Sequence, residues 1–588
     1  MSAFPSSASS ASDAPGRAEA DDAAAEAGTS TRQPDSDLTG EAHSAVVPAA
    51  SAPARERQAR LELRLGADRF SPGLLGWVVP ALITVLAGVL RLRELGNPHL
   101  LIFDETYYAK DAYALLTAGY ELTWPEGAND AWLAGDPAPT DEHSFVVHPP
   151  LGKWLIALGI HAFGIESAFG WRVSAAVAGT LGVLLIALIA QRMFRSVFLG
   201  GVAGALTAVE GHHLVMSRVA LLDIFLMLLV LAAFGALLMD RYQTRRRLAQ
   251  WASQTPSGSP AWRDGPWLAF RPWQLAAAVL LGAAVGVKLS GAAFLAVFGI
   301  MVVLWDLEAR RTLGIQHWVR SGLLRNGLPA VLTVVPVALL TYVATWSGWL
   351  VTSGGWGRHW HEEHPATGLA SLVPGPLRSL WNYHTASTDF HQGLESGHEY
   401  ASSPWTWLLM GRPVSMHYES VGYGEIYQHT GVECAVEECR SQIVDLANPL
   451  IWWAGLIALV VVVLMWLGRR DWRYGAILSG YVAGYAVWLL FPDRTMFFFY
   501  TISFHPFVIL ALVAVAALVL RLGTGPRTRE GQLRSEAAIV SAQQRNSVLV
   551  LCFVMLCLAV SVFFWPLWTA EPIPTEQWEW RLWMDSWL

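Results

Sequence analysis

The sequence predicts an all-α polytopic membrane protein, and three observations carry that reading. Of 588 residues, 53% are hydrophobic and only 15% charged, where a soluble domain carries about 25% charged residues to cover its surface. Eleven apolar stretches recur along the chain, the longer ones near the ~20 residues that cross a bilayer core. The basic residues, 37 Arg and 3 Lys, fall unequally on alternate connecting loops, as they do in multi-spanning proteins. Four Cys in this length exclude a disulfide scaffold, and a net charge of −7 gives no reason to expect nucleic-acid binding.

Residues 1–70 are rich in Ala, Ser, Asp, Glu and Pro and have no apolar run. Such a composition predicts a disordered tail, and without a signal-peptide layout it is expected to stay in the cytoplasm. The expected spans follow in order: Leu74–Leu92, Phe169–Ala190, Val197–Val209, Val219–Met239, Trp273–Val287, Ala292–Trp305, Leu328–Leu350, Pro449–Leu467, Tyr474–Leu490, Met496–Leu520 and Val548–Trp565. The stretch Trp154–Phe163 is too short to cross and reads as an interfacial or re-entrant helix.

With the tail inside, Arg192, Arg195, Arg241, Arg245–Arg247, Arg310, Arg311, Arg469, Arg470 and Arg473 all lie in inner loops. That agreement predicts a multi-pass protein of the cell membrane with its C-terminus outside. Two outer loops are long, 97–168 and 351–448. They divide the chain into a membrane module over 71–350, the second outer loop, and C-terminal helices with an outer tail over 449–588. Dense Trp, His and carboxylates in these loops point to chemistry at the outer face. Cys434 and Cys439 lie in the second loop at a spacing that permits a local bridge.

Ionisable residues near a bilayer are costly and mark function by default. Asp104 and Glu105 form an adjacent pair followed by Tyr107, Tyr108, Lys110 and Asp111. The pair suits a general base with a partner, a metal site or a solvated loop. In His148-Pro149-Pro150-Leu151-Gly152-Lys153 the prolines set an extended approach to a helix, holding His148 and Lys153 near the membrane surface. A rigid helix entry with a snorkelling Lys is the alternative. Arg172 opens a span as a helix anchor or a partner for a carboxylate. Arg218 and Asp223 lie five apart at a span mouth, where a structural ion pair explains them equally well. Lys288, flanked by small residues where the chain turns back, suits a phosphate or a bare interfacial lysine. The chain's three lysines all fall in these clusters, which favours a negatively charged, lipid-linked substrate.

Phe103-Asp104-Glu105, His148–Lys153, Ser217-Arg218 through Leu222-Asp223, and Val287-Lys288 resemble, in order, the protein O-mannosyltransferases, which use polyprenyl-phosphate mannose. Tyr383-His384, Phe390-His391, His398-Glu399-Tyr400, Ser403–Trp407 and Arg412-Pro413 fit the same resemblance, and the Met496–Tyr500 aromatic run looks like an actinobacterial member. The resemblance implies a GT-C glycosyltransferase fold with its active site at the extracytoplasmic surface. It implies inverting transfer of mannose to Ser or Thr hydroxyls of exported proteins, with the bilayer and the translocation machinery as surroundings. Asp104 is then the general base, Glu105 a positioning group paired with Arg172, and Lys288 and Arg218 the phosphate ligands, with Arg172 itself, Asp223, His148, Lys153 and Tyr108 around the substrate. At 98 residues the second outer loop lacks the large β-trefoil insertion of eukaryotic members.

The chemistry needs these residue types. A serine hydroxyl is a poor nucleophile and gains from a carboxylate within hydrogen-bond reach. The leaving phosphate gains charge in the transition state, where fixed cations stabilise it. No cofactor or metal is expected. The rival readings are a transferase of the same fold acting on a lipid or glycan, with His148, His212 and His213 as metal ligands, and a transporter. A transporter predicts inverted repeats and mid-membrane charges, neither of which the sequence displays.

Overall fold

In the computed structural model, which describes residues 52–393, 397–521, 533 and 535–587, each of the eleven apolar stretches contains a helix. The helices used below are α1 (Ala52–Arg64), α2 (Leu75–Leu92), α3 (Glu105–Ala118), α4 (Leu151–Phe163), α5 (Ala168–Phe194), α6 (Val197–Val209), α7 (Gly211–Met216), α8 (Asp223–Gln254), α9 (Pro272–Val287), α10 (Gly291–Leu313), α11 (Leu328–Thr345), α12 (Gly375–Gln392), α13 (Pro449–Arg469), α14 (Trp472–Gly484), α15 (His505–Arg521) and α16 (Glu536–Phe564). Among the described residues, seven helical segments are long and apolar enough to cross a membrane, while α6, α9 and α15 are shorter apolar helices. The interfacial stretch forms α4, of 13 residues.

The axis of the bundle is α8, whose 32 residues extend about 48 Å at 1.5 Å per residue. It packs against α1, α5, α9 and α10 and is buried over most of its length. Just past its middle, Arg271 is sealed between Asp240 and Asp306, with Nη1 2.5 Å from Asp306 Oδ2, so one guanidinium ties α8 to α10 and to the start of α9. Elsewhere small residues let backbones approach, as membrane bundles require. A Cβ at Gly282 would lie 2.3 Å from the Ala338 carbonyl, which sets α9 against α11. One at Gly159 would lie 2.4 Å from the Gly170 carbonyl, which brings α4 against the start of α5.

The exception to the helical design is a small antiparallel sheet. Strand β1 (Val414–Gly422) pairs with β2 (Glu438–Asp445), with an irregularity between Ser415 and His417. Strand β3 (Ile573–Pro574) adds to the other edge of β2. Cys434 and Cys439 are joined by a disulfide within this hairpin. The pairing of β2 with β3 binds the second outer loop to the last segment of the chain, so the division at residue 448 separates no independent units.

Three expectations are corrected. The first 70 residues are not uniformly a tail: α1 begins at Ala52 and, after Pro53 in its first turn, is built from Arg, Glu, Gln, Ala and Leu, all strong helix formers. Leu65 and Ala67 then pack with Leu248, Ala249 and Leu313, while Arg245 and Arg246 donate to the Leu65 and Ala67 carbonyls at 2.9 Å. Residues 1–51 lie outside the described residues. The expected span Tyr474–Leu490 is helical only to Gly484, and Met496–Leu520 only from His505, with 3₁₀ turns at Ala486–Leu490 and Phe498–Ser503. Packing among Trp407, Tyr485, Trp488 and Tyr500 claims these aromatic residues for a folded corner, and an apolar run alone cannot distinguish that from a span.

Candidate active site

Asp104 and Glu105 sit at the start of α3 and do different work. Phe103 turns the chain there with φ 49°, a left-handed conformation that costs a non-glycine residue about 1–3 kcal/mol. Edge-on contacts with His398, Phe497 and Phe499 hold it in that turn. Glu105 is fully buried and accepts five hydrogen bonds: from the Ile102 N–H (3.1 Å), Trp171 Nε1 (3.2 Å), Arg172 Nε and Nη2 (2.7 and 2.8 Å) and the Ala220 N–H (2.9 Å). Arg172 gives its other donors to the carbonyls of Leu95, Pro98 and Leu100. It is 1% exposed, so the expected substrate ligand is wholly a clamp for α3.

Asp104, half-buried, faces a cavity of about 740 Å³ with Tyr108, Asp111, Trp124, His148 and Lys153 in its walls. Burial pushes its carboxyl up to about 6, against the pull of the Lys288 charge and a Tyr108 hydrogen bond. Positions 104, 108 and 111 share one face of α3 by helical spacing. Lys153 is 1% exposed and spends its charge on Glu121, with Asp111 3.8 Å away. Burial pushes Asp111 up to about 7.

A second cavity of about 460 Å³ lies on the other side of His148. Its walls include Asp223, Lys288, Ser290, His391, Arg494 and Tyr500. Lys288 ends α9 and reaches Asp223 Oδ2 at 2.7 Å, with its ammonium 4.9 Å from the Tyr500 ring centre. Arg494 stacks on Trp488 and contacts His391 Nδ1 at 3.1 Å. Burial holds His148 well below its ordinary range and His391 at about 4, so both rings are neutral at pH 7. His148 lines both cavities and packs between Tyr108 and His391. One chamber thus offers a base and the other offers cations, with a neutral imidazole between them.

Two family models match successive stretches of the chain: dolichyl-phosphate-mannose-protein mannosyltransferase over residues 140–352, and the C-terminal four-TMM region of protein-O-mannosyltransferase over residues 376–587. The polyprenol-phosphate-mannose–protein mannosyltransferase of Mycobacterium tuberculosis is 34% identical over 524 residues, 87% of this chain and 92% of the relative. That of Corynebacterium glutamicum is 30% identical over 514 residues, 86% and 91% respectively. The chain belongs to the protein mannosyltransferase family. Its fold is similar to that of the S. cerevisiae protein O-mannosyltransferase Pmt1-Pmt2 complex bound to the sugar donor, with TM-score 0.62 and 14% identity over 90% of this chain and 94% of the other. The GT-C fold follows.

Among the site residues expected of a protein mannosyltransferase, the fold brings Asp104, Tyr108, His148 and Lys153 to one cavity, and Asp223, Lys288 and His148 to the other. Arg218 reaches neither. Its guanidinium donates to the carbonyls of Leu90, Arg91, Arg93 and Glu94 and closes the end of α2, where a cation complements the helix dipole. Asp223 pairs with Lys288 and not with Arg218. His212 and His213 lie in a separate buried cluster away from His148, and among the described residues no three His, Cys, Asp or Glu side chains converge to hold a metal ion. The cavity walls also hold Arg494, His391, Tyr500 and Asp111, none of which the sequence assigned to the site, although Asp111 stands in the Asp104 cluster and His391 and Tyr500 in segments that carry the resemblance. For Arg494 the signal was its place in the short outer connection between two expected spans.

Proposed function

We propose that the chain transfers mannose from polyprenyl-phosphate mannose to Ser or Thr hydroxyls of exported proteins, with inversion, at the outer face of the cell membrane. The observation that carries this reading is the pair of cavities meeting at His148, one holding Asp104 with its raised pKa and the other holding Lys288 and Arg494. The mannosyltransferase of Mycobacterium tuberculosis, 34% identical, is named for the same donor and acceptor classes, which supports this reading.

The acceptor hydroxyl enters the Asp104 chamber and gives its proton to the carboxylate as its oxygen bonds to the anomeric carbon. The bond from that carbon to the phosphate oxygen breaks on the opposite face of the ring. The departing phosphate keeps the bonding electron pair, and Lys288 and Arg494 stabilise the added charge. Glu105 and Arg172 touch no reactant and position Asp104 by pinning the first turn of α3. Asp223 orients Lys288.

Purified Asp104→Asn protein, assayed with polyprenyl-phosphate mannose and a Ser/Thr peptide, is expected to lose about 10²–10⁴-fold in kcat, the usual contribution of a general base, with unchanged thermal stability. Near-normal transfer by that variant rejects the base assignment.

A further inference from the structure

A polar cluster is sealed inside the bundle away from both cavities. His212 of α7 is fully buried and uses both ring nitrogens: Nδ1 lies 2.6 Å from Asp445 Oδ1, and Nε2 lies 3.1 Å from Thr501 Oγ1. Asp445 is the last residue of β2 and is also fully buried. Beside it, Glu210 accepts from the backbone N–H groups of His213 and Asn448 and lies 3.2 Å from His505 Nε2. Arg91 lies 2.8 Å from His213 Nδ1. None of these side chains lines either cavity, and the reaction above leaves them unused.

The order of contact, Asp to His to Thr, is that of an activated nucleophile. Thr501 is 0% exposed, so no substrate reaches it and the chain of bonds acts on the fold. Its effect falls on the adjacent residue. Thr501 belongs to the 3₁₀ turn Phe498–Ser503, and Tyr500 and Ser503 of that turn line the cavity that holds Lys288. Short 3₁₀ turns have poor internal hydrogen-bond geometry, so tertiary bonds decide where their side chains point. A carboxylate only accepts, so the Nδ1–H of His212 is directed at Asp445 and the ring is fixed. Its Nε2 then holds the Thr501 hydroxyl at a set place, as satisfied buried networks do.

We propose that Asp445, His212 and Thr501 form a positioning device for the donor phosphate. They lock the Phe498–Ser503 turn to β2 and thereby fix the Tyr500 ring against which Lys288 lies. The outer sheet is thus coupled to the cation chamber through three side chains. This inference rests on the reading that the phosphate sits at Lys288.

The test compares Thr501→Val, which removes the hydroxyl at constant shape, with Thr501→Ser, which retains it, and with His212→Asn, whose shorter amide keeps a donor for Asp445 but does not reach Thr501. Each purified protein is assayed for the KM of polyprenyl-phosphate mannose, the KM of the peptide, and thermal stability. Thr501→Val and His212→Asn are expected to raise the donor KM about three- to tenfold, the effect of one ordinary hydrogen bond, with peptide KM unchanged. Thr501→Ser restores the donor KM, and the Val/Asn double variant is no worse than either single one, as coupled residues require. A fall in thermal stability with donor KM unchanged in both variants overturns the proposal, as does a Ser variant that behaves like Val. Lys288→Ala is run alongside. If it leaves donor KM unchanged, the phosphate placement fails; if it raises donor KM while Thr501→Val and His212→Asn do not, this inference alone fails.

Discussion

Two adjacent carboxylates, Asp104 and Glu105, have been separated in role by their surroundings. Glu105 is enclosed by five donors, so neither of its oxygens is left for a substrate. Asp104 is left facing a cavity, and burial lifts it to about 6. Only the deprotonated form takes a proton, so transfer is expected to run fully above about pH 7 and to fall tenfold per unit below about pH 6. A kcat/KM profile from pH 4.5 to 8 checks this, and a profile flat through pH 6 sinks the assignment. Lys288 and Arg218, alike as cations in the sequence, are expected to part in the same way. Lys288→Ala raises donor KM and lowers kcat together, by about 10²-fold or more in kcat/KM if it stabilises the leaving phosphate. Arg218→Gln, which removes only a cap on α2, lowers the unfolding temperature and leaves donor KM as it was. Steady-state kinetics beside a thermal melt distinguish the two.

Among elements, α3 carries Asp104, the proposed base, and is held by α5. The bond between Glu105 and Arg172 joins them across 67 residues at 1% exposure or less. Removing one partner strands a buried charge, so Arg172→Ala is expected to destabilise the protein by about 3–5 kcal/mol, read as the shift of a denaturation curve in detergent. A loss under about 1 kcal/mol means that water reaches Glu105 and that the clamp is not closed. The 3₁₀ turn Phe498–Ser503 is the counterpart on the other cavity, and its place depends on side chains from α7 and β2. Both elements that shape the site are short and irregular at the point where they meet it, which is why hydrophobic periodicity alone assigned one of them to a span.

For the whole molecule, α8 separates two ends. Helix α1 packs near Leu248 and Ala249, toward the end of α8 that carries Arg241 and Arg245. Asp223, at the other end, faces the donor cavity, and α7 there packs against β2, whose far edge holds β3. Residues 52–64 and 573–574 thus belong to opposite ends of α8, the longest helix among the described residues. With the arginine-rich end inside, a Cys introduced by Ser257→Cys is expected to react with a membrane-impermeant maleimide only in permeabilised cells, and one introduced by Glu579→Cys in intact cells. The same accessibility for both overturns the topology.

Much of this was legible in the sequence. The apolar runs and the bias of 37 arginines specify a membrane bundle because burial in lipid and positive-inside sorting act on composition and order alone. Asp104, His148 and Lys288 stood out because a charge or a proline at a membrane surface is costly without a use. What composition could not decide is which partner each ionisable group meets. Arg172, Arg218 and Lys153 look like substrate ligands in one dimension and are spent on carbonyls and carboxylates in three. His212 lies 233 residues from Asp445 and 289 from Thr501, and Arg494 lies 103 from His391, so these groups meet only when the helices close. Tertiary structure decided these because a buried charge takes whichever partner packing brings within about 3 Å, and that distance is not encoded at any one position of the chain.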